Sequence, residues 1–180
     1  MPEFQPVIYQ YLKKFQDDPS SRVFAPLTEA YRKAGLVDEA IRIAREGLQF
    51  HPQFMGGRVA LARALFDKKC YQEVISELGT MVKDFPDNLI AQRLLAESYL
   101  FLGHVVEALD SFKLLLFFAP GDADVAKMVQ ELEVQAYETG SAVLRSDPTK
   151  KRLSRIDKIE TLQGLLQKVE RYRVLNELAG

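Results

Sequence analysis

The stretch that decides the fold is residues 89–122, LIAQRLLAESYLFLGHVVEALDSFKLLLFFAPGD, because its pattern occurs twice more upstream. Residues 55–88 read MGGRVALARALFDKKCYQEVISELGTMVKDFPDN, and residues 21–54 read SRVFAPLTEAYRKAGLVDEAIRIAREGLQFHPQF. A proline stands at the same place in each segment, 34 residues after the last: Pro52, Pro86 and Pro120. A 34-residue period made of two amphipathic helical patterns predicts stacked pairs of helices, called helix A and helix B below.

Matched positions within the period explain how such pairs would pack. Small residues at positions 8 and 20 allow two helices to approach closely, and larger ones at positions 7 and 11 fill the space between them. Position 8 holds Thr28, Ala62 and Ala96; position 20 holds Ala40, Val74 and Ala108; position 7 holds Leu27, Leu61 and Leu95; position 11 holds Tyr31, Leu65 and Tyr99. Gly35 and Gly103 stand where helix A should end, and Lys69 replaces glycine in the middle segment.

These positions resemble the tetratricopeptide repeat (TPR) family, strongly over residues 21–122 and weakly at the flanks. The resemblance is to short free-standing members of the adaptor type. It implies an all-α fold, a right-handed α-solenoid of three TPR-like helix-turn-helix repeats with flanking helices and a long C-terminal helix. Two positions depart from the family pattern, so packing on the B helices should differ between repeats. Position 4, usually aromatic, holds Phe24, Arg58 and Gln92; position 27, usually Ala, holds Gly47, Met81 and Leu115.

The periodicity divides the whole chain into seven segments. Prolines, glycines and a basic run separate the helical patterns outside the repeats. The predicted segments are an N-terminal helix (1–20), repeat one (21–54), repeat two (55–88), repeat three (89–122), a fourth A-type helix (123–140), a linker (141–152) and a C-terminal amphipathic helix (153–180).

The C-terminal helix has an apolar face that should be covered. Helix B of repeat three carries Leu114 and Phe117 one turn apart, where the family usually has solvated residues. Together with Leu162, Leu166 and Val169 they form a candidate second surface. Three interpretations stay open: the helix caps the repeats, it forms a coiled coil with a partner or a second copy as a homodimer, or it lies in the protein's own groove.

The family resemblance also implies a binding surface, because A helices line the concave face of such arrays. The predicted partner-binding groove consists of Arg22, Glu29, Arg32, Val59, Arg63, Phe66, Arg93, Glu97, Leu100, Phe101 and Lys127. Arginines bind carboxylates and exposed aromatics supply apolar contacts, so we expect a protein or peptide partner with acidic and apolar residues. The alternative is that Phe66 and Phe101 only pack between repeats while the arginines pair with Glu29 and Glu97.

Composition disfavours the other classes of function. The chain has 180 residues, one cysteine (Cys70), two histidines, no tryptophan and a net charge of −1. We therefore expect no enzyme activity, no cofactor, no metal site and no membrane span, and a cytoplasmic location. A cluster of basic residues in 150–158 is the only feature that suggests nucleic acid, and without interleaved aromatics it favours a solvated segment.

Overall fold

The computed structural model describes residues 4–138, and all regular secondary structure within that range is helical. The helices are α1 (Phe4–Asp17), α2 (Phe24–Lys33), α3 (Val37–Phe50), α4 (Met55–Asp67), α5 (Tyr71–Leu78), α6 (Met81–Asp84), α7 (Leu89–Phe101), α8 (Val105–Phe118) and α9 (Ala123–Glu138). The chain divides into two compact units, Met1–Gln135 and Ala136–Gly180, and the packing reported below lies within the first. The predicted linker, the C-terminal helix and its residues Leu162, Leu166 and Val169 lie outside the described residues.

Helix A of every repeat ends in the same backbone structure. The N–H two residues past the helix cap donates to the carbonyl of position 11 at 2.9 Å; the pairs are Leu36 to Tyr31, Cys70 to Leu65 and His104 to Tyr99. The residue between has a positive φ: 79° at Gly35, 63° at Lys69 and 76° at Gly103. This is the Schellman motif, which satisfies carbonyls at the end of the helix. The predicted turn is confirmed, and Lys69 adopts its left-handed conformation at a cost of about 1 kcal/mol.

Packing around Phe24 explains the unusual glycine in repeat one. The Phe24 ring is fully buried between α3 and α4. A Cβ atom added to Gly47 would lie 2.0 Å from that ring, and one added to Gly57 would lie 2.5 Å from it. Both glycines are therefore needed to make room for the aromatic side chain.

Position 4 makes a different contact in repeats two and three. The polar residue at position 4 donates to the carbonyl of the preceding repeat's proline: Arg58 Nε to Pro52 O at 2.8 Å and Gln92 Nε2 to Pro86 O at 3.2 Å. Position 27 is then occupied by large buried side chains, Met81 and Leu115. The expectation that B-helix packing differs between repeats is confirmed.

Helix B of repeat two is interrupted, unlike α3 and α8. It stops at Leu78 and resumes as the single turn α6 after Gly79 and Thr80. The carbonyl oxygen of Ile75 stands 2.7 Å from where a Cβ of Gly79 would be. Glycine tolerates this close approach because it has no Cβ, and both Gly79 and Thr80 keep right-handed helical backbone angles across the interruption.

The flanking helices extend the packing on both sides. On α1, Phe15 is buried, and Ile8 and Leu12 pack against the same core. Two side chains cap helices: Asn88 Oδ1 accepts from the Ala91 N–H at 3.0 Å, and Asp122 Oδ1 accepts from the Val125 N–H at 3.1 Å. The second cap starts α9, which continues the A-helix pattern after repeat three.

Candidate functional site

The A helices of repeats one and two carry a network of ion pairs among the predicted groove residues. Arg32 binds both carboxylate oxygens of Glu29, with Nη2–Oε1 at 2.8 Å and Nε–Oε2 at 2.9 Å, and its Nη1 lies 2.7 Å from Asp67 Oδ2. Arg63 Nη1 reaches the same Glu29 Oε1 at 3.3 Å. The hydrogen bond from Arg32 lowers the pKa of Glu29 in spite of its burial. The charges on this part of the surface are therefore largely satisfied within the protein.

Arg93 has a different partner from the one that the packing interpretation predicts. Its Nη2 lies 2.5 Å from Asp122 Oδ2, the carboxylate that also caps α9. Within the part of the chain that the structure describes, Glu97 has no Lys, Arg or His nitrogen within 4.0 Å. Burial raises the pKa of Glu97, and Arg93 offsets this only in part. Glu97 is thus a half-buried acid without a direct ion-pair partner among the described residues.

A pocket of about 320 Å³ lies between α7 and α9, beside Glu97. Its lining is mostly apolar, with three charged groups: Phe66, Arg93, Glu97, Leu100, Phe101, Phe112, Asp124, Val125 and Met128. We call it the α7–α9 pocket. A second pocket of about 260 Å³ adjoins it at Arg93 and Glu97 and is lined further by Arg63, Leu89, Ile90 and Leu94. The structure therefore brings six of the predicted residues to one stretch of surface.

Tyr71 packs against two of the aromatic rings that line the α7–α9 pocket, Phe66 and Phe101. Tyr71, the first residue of α5, stacks on Phe101 with ring centroids 4.6 Å apart and planes 8° apart. Phe66 meets both rings edge-on, at 5.3 Å from Tyr71 and 5.8 Å from Phe101. Phe66 is half-buried, as the packing interpretation predicts, whereas Phe101 remains 61% exposed. Phe101 is therefore available for contact with another molecule.

The remaining predicted residues lie outside both pockets. The Arg22 guanidinium sits over the Phe54 ring at 5.2 Å, Val59 is half-buried against the core, and Lys127 lies 3.9 Å from Glu131. On the candidate second surface, Leu114 is half-buried and Phe117 is 60% exposed. Of the eleven predicted groove residues, six therefore line the two pockets and five do not.

Sequence reasoning missed two residues that shape the pocket. Tyr71 lies on helix B, and the family pattern placed the binding surface on A helices alone. Asp122 caps α9 and also binds Arg93 across 29 residues of sequence, a contact that the repeat pattern does not predict. The repeat register does place Asp124 on the A-helix face, and that placement is the sequence signal for the side of the pocket that α9 forms.

Other kinds of site are not evident in residues 4–138. No group of three or more His, Cys, Asp or Glu side chains there could hold a metal ion. No helix in this range is long and apolar enough to cross a bilayer.

Comparison with solved structures shows what this fold is similar to. MamA from AMB-1 matches with a TM-score of 0.66 at 21% identity, over 79% of this chain and 84% of that chain. MamA residues 41–end from Desulfovibrio magneticus RS-1 match with a TM-score of 0.69 at 12% identity, over 84% and 87%. No family model and no curated protein matches the sequence. At these identities the likeness concerns the fold, and this chain shares with MamA an all-α, TPR-like helical repeat architecture.

Proposed function

We propose that this protein is a non-catalytic, cytoplasmic interaction module, an adaptor or scaffold that holds a peptide or helix of a partner protein against its A helices. The observation that carries the proposal is the pair of adjoining pockets around Arg93 and Glu97. They combine exposed apolar side chains with charged groups, which is the composition of a surface that binds protein segments.

Apolar contacts would supply most of the affinity. Phe101, which lines the α7–α9 pocket, is 61% exposed, and Ile90, which lines the second pocket, is 46% exposed. Side chains of this size contribute strongly when a partner removes them from water. A partner segment with apolar residues spaced along one face would fit this arrangement.

Charged contacts would orient the segment. Arg63 and Arg93 are only partly covered, since their side chains remain 34% and 43% exposed. Guanidinium groups have five N–H donors, so each can bind an acidic residue of the partner in addition to its internal carboxylate. This supports a partner with acidic as well as apolar residues.

A different role would use the second surface. Phe117 is as exposed as Phe101 and lies on α8, on a B helix. An apolar side chain there favours an assembly or regulatory subunit that self-associates through its C-terminal region. Residues 150–158, on which nucleic-acid binding would depend, lie outside the described residues.

The two exposed phenylalanines provide a matched test. The full-length chain, its Phe101→Glu variant and its Phe117→Glu variant are used to capture partners from the native host, with thermal unfolding as the control for folding. We expect Phe101→Glu to lose the captured protein and Phe117→Glu to retain it.

Equal capture by all three proteins would exclude the paired pockets as the binding surface. Loss with Phe117→Glu alone would favour the second surface. Reversal of Arg63 and Arg93 is a less specific test, because it also breaks the internal pairs with Glu29 and Asp122.

A further inference from the structure

The α7–α9 pocket combines apolar walls with carboxylates. An acidic side chain would be repelled by the carboxylates, and a purely apolar one would leave them without a partner. Phe66, Leu100 and Met128 contribute apolar walls, while the carboxylates of Glu97 and Asp124 also line it. Such a pocket suits a group with a hydrocarbon stem and a charged end.

The charge at the pocket is negative. Arg93 is its single cationic lining residue, and Asp122 already binds that guanidinium at 2.5 Å. Neither Glu97 nor Asp124 has an ion pair among the residues that the structure describes. A cation placed in the pocket would therefore be attracted by two carboxylates and opposed by one arginine that is largely compensated.

The half-burial of Glu97 adds to this preference. Burial without a direct cation disfavours the charged carboxylate and raises its pKa. A cationic group that approached Glu97 would restore a partner to that charge, and a charge-assisted hydrogen bond in a partly desolvated site is strong. The charged Glu97 carboxylate is thus unfavourable in the free protein and becomes favourable when a cation binds beside it.

We propose that the α7–α9 pocket binds the side chain of a lysine or arginine residue of the partner segment, with its methylenes against the apolar walls and its charged end at Glu97 and Asp124. This inference rests on the proposed function, since it names one residue of the segment held by the paired pockets. It also gives the bound segment a direction. Its acidic residues would lie towards Arg63, and its basic residue would lie between α7 and α9.

The test uses a random 12-residue peptide library displayed on phage, selected against the immobilised full-length protein and counter-selected against Phe101→Glu. We expect the selected peptides to share a Lys or Arg next to apolar residues. A synthetic selected peptide should lose at least about tenfold in affinity with Glu97→Gln, the usual effect of removing one charge-assisted contact. The matched control is Glu39→Gln on α3, which should leave the affinity unchanged.

A second change, in the peptide, makes the assignment specific. Replacing the lysine by norleucine keeps the hydrocarbon stem and removes the ammonium group. It should lower affinity for the wild type by at least the same factor, and Glu97→Gln should then cause no further loss, because the contact with Glu97 is already gone.

The outcomes separate the two proposals. Peptides that need Phe101 but carry no basic residue, or whose affinity Glu97→Gln does not change, would overturn the lysine or arginine assignment and leave the proposed function standing. If the selection returned no peptide whose binding depends on Phe101, the proposed function would fail and this inference with it.

Discussion

Repeat one and repeat three use equivalent positions in opposite ways. Position 9 is Glu29 in the first and Glu97 in the third, yet Glu29 is bound by two arginines and Glu97 by none at close range among the described residues. Position 4 is a buried phenylalanine ring in repeat one and a hydrogen-bonding glutamine in repeat three. Repeat one pairs its position-9 carboxylate within the protein, whereas repeat three leaves its position-9 carboxylate without a close cation, beside a pocket.

This difference indicates where stability and binding are separated in the molecule. A carboxylate that is already bound by arginines inside the protein offers little to a cation of a partner, and a carboxylate without such a pair offers more. Glu97 gains more from an added cation than Glu29 does, because Glu29 is already bound by two arginines. Repeat three, together with α9, is therefore the region where binding is expected.

The largest effect should come from breaking the packing that is particular to repeat one. Phe24→Ala should lower the free energy of unfolding by about 3–5 kcal/mol, because the ring is fully buried. Gly47→Ala should cost about 1–3 kcal/mol in the wild type, where the added methyl group would overlap the Phe24 ring. In the Phe24→Ala background the same change should cost little or stabilise, and urea denaturation of all four proteins measures the coupling.

Phe117→Ala is the control for the loss of a phenylalanine, since that side chain is exposed and should change stability by less than about 0.5 kcal/mol. An equal cost of Gly47→Ala in both backgrounds would show that the ring is not the reason for the glycine.

A smaller effect should come from the turns, where repeats one and three agree and repeat two differs. Lys69→Gly should stabilise the protein by about 1 kcal/mol, because glycine adopts a φ of 63° without the steric cost of a side chain. Gly35→Ala should destabilise it by a similar amount for the converse reason. Differential scanning calorimetry measures both; a lower Tm for Lys69→Gly would contradict the account of the turn.

The smallest effects are those of the two position-9 acids on the pH dependence of stability. Glu29 has a lowered pKa, so its contribution is present above its ordinary pKa of 4.5 and is lost as the pH falls through the folded-state value. Glu97 has a raised pKa, so its contribution is present below 4.5 and is lost as the pH rises through the folded-state value. At pH 7, Glu29→Gln should therefore destabilise the protein and Glu97→Gln should slightly stabilise it.

Urea midpoints of the wild type and the two variants between pH 3 and pH 8 provide the measurement. Both differences from the wild type should shrink as the pH falls, that of Glu97 at a higher pH than that of Glu29, because the pKa of Glu97 is raised and the pKa of Glu29 is lowered. A Glu97→Gln protein that is less stable at pH 7 would mean that the ionised carboxylate has a stabilising partner.

Much of the fold could be predicted because its signals are local. The Schellman turns at Gly35 and Gly103 and the caps at Asn88 and Asp122 depend on bonds between residues a few positions apart. Such bonds form in the same way wherever the helix lies, so composition and spacing are sufficient. The interruption at Gly79 did not follow from the repeat pattern.

The candidate site could be predicted only as a face of helices. Register placed Phe66, Glu97 and Phe101 on that face, but not the stacking of Tyr71 on Phe101 or the binding of Arg93 to Asp122 instead of Glu97. A long arginine side chain reaches several carboxylates within one repeat spacing, and the choice depends on ångström differences in distance.

The sequence by itself therefore determined the period, the helices and the turns of this protein, because these arise from backbone chemistry within a few residues. Only the tertiary structure decided which of the described charges form ion pairs within the protein and which do not. Those contacts join residues about one repeat apart, such as Glu29 with Arg63 and Arg93 with Asp122, and they depend on how neighbouring helices are placed. The pocket beside Glu97 is a consequence of that placement.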